Sequence, residues 1–440
     1  MLAFRPSRFE VLQTAPPRKA MMKSSNYLLF LGSILIALLI AEVLLRTFVP
    51  EIGWAQRKDA VVGWSSDEYK EFDPEDSEDG AATRILFLGD SFLAGSGVSA
   101  LDKRFPVLLQ SQLARTESSR ILAAGGWGTD QQLIAFVQKG IPWKPDLVIL
   151  AFCANNDISN ILSNSHGLKK RKPYFVLEDS GSLRLYDGYG NPLDSKSILH
   201  TEDAHRNSDS PQVRSYLFDF TRLILRFLAS PDQSAETEDQ AVDARYLKFR
   251  YWEEKREEIF RQQDRLSWSP QNGVNHASAY IHENFEINTY QWRLFESILA
   301  KLKEEVESSG GKLVLMLLPV IFNPADSGTI AGGSFVKEFQ TPDGSFTFRS
   351  VEPRERLQTI SDNTGITFLD PTQDFINMVL KNNLMKQVWP ENNRHFSDLG
   401  HEIMANLLED HIEALVKNDR TTAERNTLPV RNGATHHSDE

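Results

Sequence analysis

Cysteine is almost absent from the sequence, since Cys153 is the only one among 440 residues. A single thiol cannot form a disulfide within the chain, and a zinc site built from cysteines is excluded. The lack of disulfides still leaves an oxidising compartment open, because a chain with a large hydrophobic core needs no covalent cross-links. We also find no internal repeat.

An excess of positive charge is missing as well. The 48 Lys and Arg residues against 60 Asp and Glu residues give a net charge of −12. A nucleic-acid-binding protein usually presents a basic face, so we expect no nucleic-acid partner. Hydrophobic residues make up 41% of the chain, which predicts a folded protein rather than a disordered one. At ~150 residues per domain, the length corresponds to about three units.

The sequence contains one long hydrophobic run. Residues 24–41 carry no charge, and the apolar character continues through Val49 apart from Glu42 and Arg46. About 20 such residues cross a bilayer core of ~30 Å as a helix. The run is longer than the apolar part of a cleaved signal peptide and lacks a convincing cleavage site. We therefore predict a transmembrane anchor at 26–49, with a buried core helix as the alternative.

The residues that flank this run predict its orientation. Residues 1–25 hold five basic residues and one acidic residue, whereas residues 51–80 hold three basic and ten acidic residues. Lys and Arg concentrate on the cytoplasmic side of membrane proteins. We therefore expect a cytoplasmic tail at 1–25, an acidic linker at 50–80, and the rest of a single-pass protein outside the cytoplasmic membrane.

The remaining chain has the pattern of an α/β fold. Five short apolar runs are typical of buried parallel strands, and segments with apolar residues at three- and four-residue spacing are typical of helices. This alternation predicts a three-layer α/β/α sandwich with a five-stranded parallel sheet. The predicted strands are Ile85–Leu88, Ile121–Ala124, Leu147–Phe152, Leu313–Leu318 and Ile366–Leu369, and the clearest helices are 105–115, 286–306 and 398–416.

The alternation is interrupted by a predicted insertion at 161–284. Its first part reads as a β-hairpin with Gly181 in the turn, and two helices are predicted farther on, at 213–228 and 245–262. The polar, aperiodic residues 419–440 are predicted to be disordered.

Three of the predicted strands end in blocks that can carry chemistry. The first runs into Gly-Asp-Ser, which places the Ser91 hydroxyl at the carboxyl edge of the sheet, where open α/β folds bind ligands. The second ends in Gly125 and Gly126, where a backbone without side chains can approach a ligand closely. The third ends in Asn155 and Asn156. Glycine and asparagine clusters also form ordinary turns, so each block alone is a weak signal.

A histidine block, NNRHFSDLGH, precedes the last predicted helix and contains His395 and His401. In this order, the four blocks resemble those of the SGNH/GDSL hydrolase superfamily over roughly 81–160 and 285–416. The resemblance implies a flavodoxin-like sandwich. It implies that Ser91 is the nucleophile and that His395 is the base. It also implies an oxyanion hole made of three donors: the Ser91 N–H, the Gly126 N–H and the Asn156 amide. Gly125 and Asn155 are the neighbouring alternatives for the last two donors.

The sequence departs from the family at the acid that normally orients the histidine. Asn392 and Asn393 stand where aspartate is expected, and Glu391 lies one position farther upstream. We expect Glu391 to supply the charge, unless an asparagine or a backbone carbonyl only orients the ring. A second candidate pair, Asp398 and His401, has the literal family spacing, but we expect His401 to be a surface residue at the start of the helix.

The resemblance implies a serine esterase or an O-acyltransferase that works through an acyl-enzyme, without cofactor or metal. The expected substrate is an ester, such as the O-acetyl groups of a polysaccharide outside the cytoplasmic membrane. The alternatives are a lipase or lysophospholipase and a catalytically weak protein that binds carbohydrate. The acyl group, the acceptor and the oligomeric state do not follow from the sequence.

Overall fold

The computed structural model describes residues 24–48, 57–59, 63–65, 83–113, 117–166, 170–188, 190–193, 269–271, 274–323, 327–390 and 393–427. The predicted helices at 213–228 and 245–262, the first 23 residues and most of the acidic linker lie outside these ranges. The chain divides into two compact units, and the first unit is described here only by its helix α1, Ser24–Phe48.

Helix α1 covers most of the predicted anchor. Its described side chains include exposed aliphatic ones, such as Leu35 at 60% and Val43 at 61% relative exposure. Within the part of the chain that the structure describes, no helix is long and apolar enough to cross a membrane.

The second unit is built on a five-stranded parallel sheet. Its strands are β3 (Thr83–Gly89), β4 (Glu117–Ala123), β5 (Leu147–Phe152), β11 (Lys312–Leu317) and β14 (Thr367–Leu369). They lie in the order β14–β11–β5–β3–β4, so the predicted α/β fold with five parallel strands is confirmed. All six residues of β5 are buried, which explains why the strands are continuous apolar runs.

The strand order fixes where a ligand site is expected. The first strand in the chain, β3, lies between the second, β4, and the third, β5. The chain therefore runs from β3 to β4 in one direction and from β4 back past β3 to β5 in the other. Open α/β sheets bind ligands where the strand order reverses in this way, at the carboxyl ends of β3 and β5.

Helices cover this sheet. The longest internal one, α7, buries Leu294, Ile298 and Leu302 at four-residue spacing against the core, as its sequence pattern predicts. The final helix continues past its predicted end at 416 to Thr427, so it includes residues 419–427 of the tail that the sequence predicts to be disordered. The helices are α2 (Ser91–Ala94), α3 (Phe105–Gln112), α4 (Thr129–Ala135), α5 (Ile141–Trp143), α6 (Asp157–Asn160), α7 (Glu286–Ser308), α8 (Glu352–Thr364), α9 (Thr372–Lys381), α10 (Met385–Val388) and α11 (Asp398–Thr427).

Short antiparallel pairs surround the sheet. The predicted hairpin is present as β8 (Tyr174–Leu177) and β9 (Leu183–Tyr186), with Gly181 at φ 84° in the turn. A pair that the sequence analysis does not predict consists of β12 (Val336–Thr341) and β13 (Gly344–Arg349). The smaller strands are β1 (Arg57–Asp59), β2 (Gly63–Ser65), β6 (Ser165–His166), β7 (Lys170–Arg171) and β10 (Pro192–Leu193).

Residues 274–281 lie inside the predicted insertion but belong to the core of this unit. Val274, Ala277, Tyr280 and Ile281 are buried among the core residues. The sandwich therefore resumes before the predicted boundary at 285.

Candidate active site

Ser91 lies at the carboxyl end of β3, as expected. The strand ends at Gly89, and the Asp90 side chain accepts a hydrogen bond of 2.9 Å from the Phe92 N–H, which caps the short helix α2. Gly89 leaves room for the buried Leu93 side chain, because a Cβ there would lie 2.3 Å from Cδ1 of Leu93. Ser91 is the first residue of α2, so its hydroxyl is presented at the sheet edge.

The structure brings Ser91 and His395 together. Ser91 Oγ and His395 Nε2 are 2.7 Å apart, although 304 positions separate the two residues in the chain. A serine hydroxyl becomes an effective nucleophile only when a base lies within hydrogen-bond distance, and this geometry provides one.

The second ring nitrogen of His395 faces an amide. Nδ1 lies 3.0 Å from Oδ1 of Asn393, which also accepts a 3.1 Å hydrogen bond from the His395 N–H. An amide oxygen can only accept, so Nδ1 must carry the hydrogen, and Nε2 is then free to accept the Ser91 proton. The Asn393 amide thus selects the catalytically useful tautomer but contributes no negative charge. Glu391 and Asn392 lie outside the described residues, and the predicted role of Glu391 stays a prediction.

The histidine loop is held against the loop that follows α2. A Cβ on Gly97 would lie 2.0 Å from the Phe396 carbonyl oxygen, so only glycine permits this approach. The rings of Phe92 and His395 have centroids 5.0 Å apart, and the Ser397 N–H donates to the Val388 carbonyl at 2.9 Å. These contacts fix the position of the imidazole relative to α2.

Gly126 lies in a turn that leaves its N–H available. Its φ is 76°, a conformation that favours glycine, and the Trp127 N–H closes the turn on the Ala124 carbonyl at 3.1 Å. The Asn160 amide donates to the Gly126 carbonyl at 3.0 Å. Among the described residues, neither the Gly126 N–H nor the Ser91 N–H has an acceptor, so both can donate to a substrate oxygen.

Asn156 lies where the first three blocks meet. Its Nδ2 is 3.4 Å from the Trp127 carbonyl oxygen, and its amide also donates to the Asp90 carboxylate. The neighbouring Asn155 is used differently: its Nδ2 donates to the Ile321 carbonyl at 2.9 Å, and its Oδ1 accepts from Tyr280. Of the two asparagines left open by the sequence, Asn156 is the one beside the nucleophile block.

Behind the site lies a buried acidic group that the sequence analysis does not identify. Asp90 and Asp157 are fully buried, and burial together with the Asp90 charge raises the pKa of Asp157 well above its usual range. Burial also raises the pKa of Asp90, although the Phe92 N–H opposes this by donating to it. These shifts favour one negative charge in the pair rather than two. Nearby, Asp130 forms a buried ion pair with Lys172 from the insertion.

His401 is not a surface residue, and that expectation is wrong. It is fully buried, and its Nδ1 accepts a 3.2 Å hydrogen bond from the Phe105 N–H. Burial, followed by the nearby charge of Arg104, lowers its pKa to about 3. The Asp398 carboxylate accepts instead from the Ser99 N–H at 2.8 Å and from the Ser99 hydroxyl. The alternative pair of Asp398 and His401 is therefore not arranged as a catalytic dyad.

No protein-family model matches the chain, and no curated protein matches it. Among solved structures, an acetyl xylan esterase matches with 10% identity and a TM-score of 0.35, over 75% of this chain and 99% of that chain. A psychrotrophic esterase from Pseudoalteromonas sp. matches with 10% identity and a TM-score of 0.34, over 76% and 99%. A lipase/acylhydrolase from Enterococcus faecalis matches with 12% identity and a TM-score of 0.33, over 75% and 95%.

The arrangement that the four blocks predict is present in the structure itself. The sheet has the flavodoxin-like strand order, and the Ser91, Gly126 and Asn156 blocks follow β3, β4 and β5. The His395 block precedes the final helix and reaches Ser91.

Proposed function

We propose that the protein is a serine ester hydrolase of the SGNH type or an O-acyltransferase that uses the same acyl-enzyme. The observation that carries the proposal is the 2.7 Å contact between Ser91 Oγ and His395 Nε2, at the sheet edge where this fold binds ligands. Because Asn393 fixes the proton on Nδ1, Nε2 is the nitrogen that accepts the serine proton.

The proposed reaction has two steps. His395 takes the Ser91 proton as Ser91 Oγ attacks the ester carbonyl, and it returns that proton to the alcohol that leaves. In the second step, water in a hydrolase, or a sugar hydroxyl in a transferase, gives its proton to His395 and attacks the acyl-serine. The bond between the acyl group and Ser91 Oγ then breaks, the acid or the new ester leaves, and His395 returns the proton to Ser91 Oγ. The negative charge on the tetrahedral intermediate is stabilised by the N–H groups of Ser91 and Gly126 and by the Asn156 amide. The Asn393 amide adds no charge to stabilise the imidazolium, so we expect slow turnover unless Glu391 supplies that charge.

The substrate class and the location extend this proposal. By analogy with members of the superfamily that add or remove acetyl groups on cell-surface polysaccharides, we propose O-acetyl esters of a polysaccharide as the substrate.

The location rests on the uncharged run at 24–41 and its basic flank, and the exposed aliphatic side chains of α1 are in keeping with an apolar environment. We therefore propose a membrane-tethered protein whose catalytic fold lies outside the cytoplasm.

The reaction is tested with Ser91→Ala. We expect the purified full-length protein to hydrolyse 4-nitrophenyl acetate and to release acetate from an O-acetylated polysaccharide. Ser91→Ala should reduce both rates by about 10³-fold or more, because no other group attacks the carbonyl. The matched control is Ser111→Ala, since Ser111 is exposed on α3 and only bonds the Leu108 carbonyl. Retained activity in Ser91→Ala would exclude the mechanism.

The location is tested with a reporter that is active only outside the cytoplasm. Fused after residue 80, it should be active, because the basic residues of 1–25 keep the N-terminus inside. The same reporter fused to the N-terminus is the control and should be inactive. An inactive but well-expressed fusion after residue 80 would contradict the proposed orientation.

A further inference from the structure

The segment 274–281 follows the insertion and leads into α7. It is short and has no regular periodicity, yet Val274, Ala277 and Ile281 are buried in the core. Tyr280 is fully buried and stacks on Phe348 with ring centroids 4.9 Å apart. The segment is therefore a fixed part of the sandwich.

Two side chains of this segment hold Asn155 from one side. The Tyr280 hydroxyl donates to Oδ1 of Asn155 at 2.6 Å, and Nδ1 of His276 contacts the Asn155 carbonyl oxygen. Since a carbonyl oxygen can only accept, this His276 nitrogen carries the hydrogen. From the other side, Nδ2 of Asn155 donates to the Ile321 carbonyl at 2.9 Å. The Oδ1, the Nδ2 and the main-chain carbonyl of Asn155 are thus all hydrogen-bonded, and the residue is only 2% exposed.

The side chain of the next residue, Asn156, is held only through its Nδ2 group, which donates to the Asp90 carboxylate. Its Nδ2 contact with the Trp127 carbonyl is long, at 3.4 Å, and its buried Oδ1 accepts no hydrogen bond from the described residues. Its backbone is well held, because its N–H donates to the Cys153 carbonyl at 3.2 Å and its carbonyl accepts from Asn160 at 2.7 Å. The direction of the Asn156 amide therefore depends on Asp90 and on the backbone of this turn, in which Asn155 is the tethered residue.

We propose that Tyr280 and His276 are positioning residues that act through Asn155 to aim the Asn156 amide at the oxyanion. Because this inference rests on the proposed function, it describes how the same site is completed. The segment 274–281 would then contribute to catalysis although it lies outside the four motif blocks.

A loss of the Tyr280 hydroxyl leaves Oδ1 of Asn155 buried without its donor. The turn then relaxes, and the Asn156 amide moves from the place where negative charge develops. The complete loss of an oxyanion donor costs about 10²–10³-fold in kcat, so we expect the displacement to cost about 10-fold or more. The interaction strengthens in the transition state, so kcat should fall while KM changes by less than about two-fold.

The test is a double-mutant cycle on 4-nitrophenyl acetate with Tyr280→Phe, Asn156→Ala and the double variant. If Tyr280 acts through Asn156, Tyr280→Phe should lower kcat alone but change it by less than about two-fold in the Asn156→Ala background. Tyr290→Phe is the matched control, because the Tyr290 hydroxyl accepts from the Leu177 N–H and lies outside this network. A Tyr280→Phe variant with the wild-type kcat, or with an effect that multiplies with that of Asn156→Ala, would overturn the inference.

His276 provides a second variant, because it is only half-buried and we expect its replacement to leave the fold intact. His276→Leu removes the donor to Asn155, whereas His276→Gln restores a hydrogen-bond donor, so kcat should fall in the first and recover in the second. If Tyr280→Phe does not fold, the His276→Leu and His276→Gln variants test the inference in its place. Equal kcat values in His276→Leu and the wild type would overturn it. An active Ser91→Ala would instead contradict the proposed function itself.

Discussion

The two ring nitrogens of His395 have different partners, and the proposed reaction depends on this difference. Nε2 meets Ser91 at 2.7 Å and Nδ1 meets the Asn393 amide at 3.0 Å. A carboxylate at the second position would both orient the ring and stabilise the imidazolium, whereas an amide only orients it. The Asn393 amide therefore orients the His395 ring but does not itself add a negative charge beside it.

We predict that Asn393→Asp raises kcat/KM by about 10-fold or more, because the carboxylate stabilises the imidazolium formed in the transition state. Glu391→Gln should be nearly silent if Asn393 alone orients the ring. The measurement is kcat/KM on 4-nitrophenyl acetate, with Asn377→Asp as the control, since Asn377 is exposed on α9 and gains the same charge. A large loss in Glu391→Gln, together with no gain in Asn393→Asp, would identify Glu391 as the acid.

The sequence predicts Ser91 and His395 as site residues because each lies in a short motif. The Ser91 motif follows a strand end, and the His395 motif precedes a helix start. It does not distinguish the environments of single residues. His401 reads as a surface residue from its place in the motif, but α11 turns it toward Phe105 and Phe396, with ring centroids 5.8 Å and 5.6 Å away. Burial of this kind depends on which elements pack together, and a local pattern does not contain that information.

At the scale of elements, the parallel strands are predictable because they are short apolar runs buried on both faces. The predicted run Leu147–Phe152 coincides with β5, and the other four strands differ from the predictions by a few residues at their ends. The pair β12–β13 is not predicted, although Phe346 and Phe348 alternate with polar residues as in a half-buried strand, because the strand predictions rest on continuous apolar runs.

Contacts between loops are the least predictable elements. Gly97 permits the approach of the Phe396 carbonyl, and the segment 274–281 tethers Asn155, but neither has a signature in the sequence. Both depend on residues more than a hundred positions away, so only the folded chain reveals them. If the segment 274–281 acts as inferred, the four motif blocks are necessary for the site but do not complete it.

At the scale of the whole molecule, composition and charge predict a folded α/β protein that does not bind nucleic acid, and the fold agrees with the first part of this prediction. The strand order then explains why blocks that are distant in the chain meet. Ser91 and Asn156 follow the two strands at the switch point of the sheet, and the final helix brings His395 to the same edge. The N-terminal helix belongs to a separate unit, so the proposed anchor is tested independently of the site.

The central claim is that His395 activates Ser91, and covalent labelling tests it most directly. The full-length protein is incubated with a fluorophosphonate, and the modified residue is located by peptide mass spectrometry. We predict a single adduct on Ser91, no adduct in Ser91→Ala, and labelling slowed by about 10²-fold or more in His395→Ala, because the probe reacts with an activated serine. An adduct on another residue, or equal labelling rates with and without His395, would contradict the account.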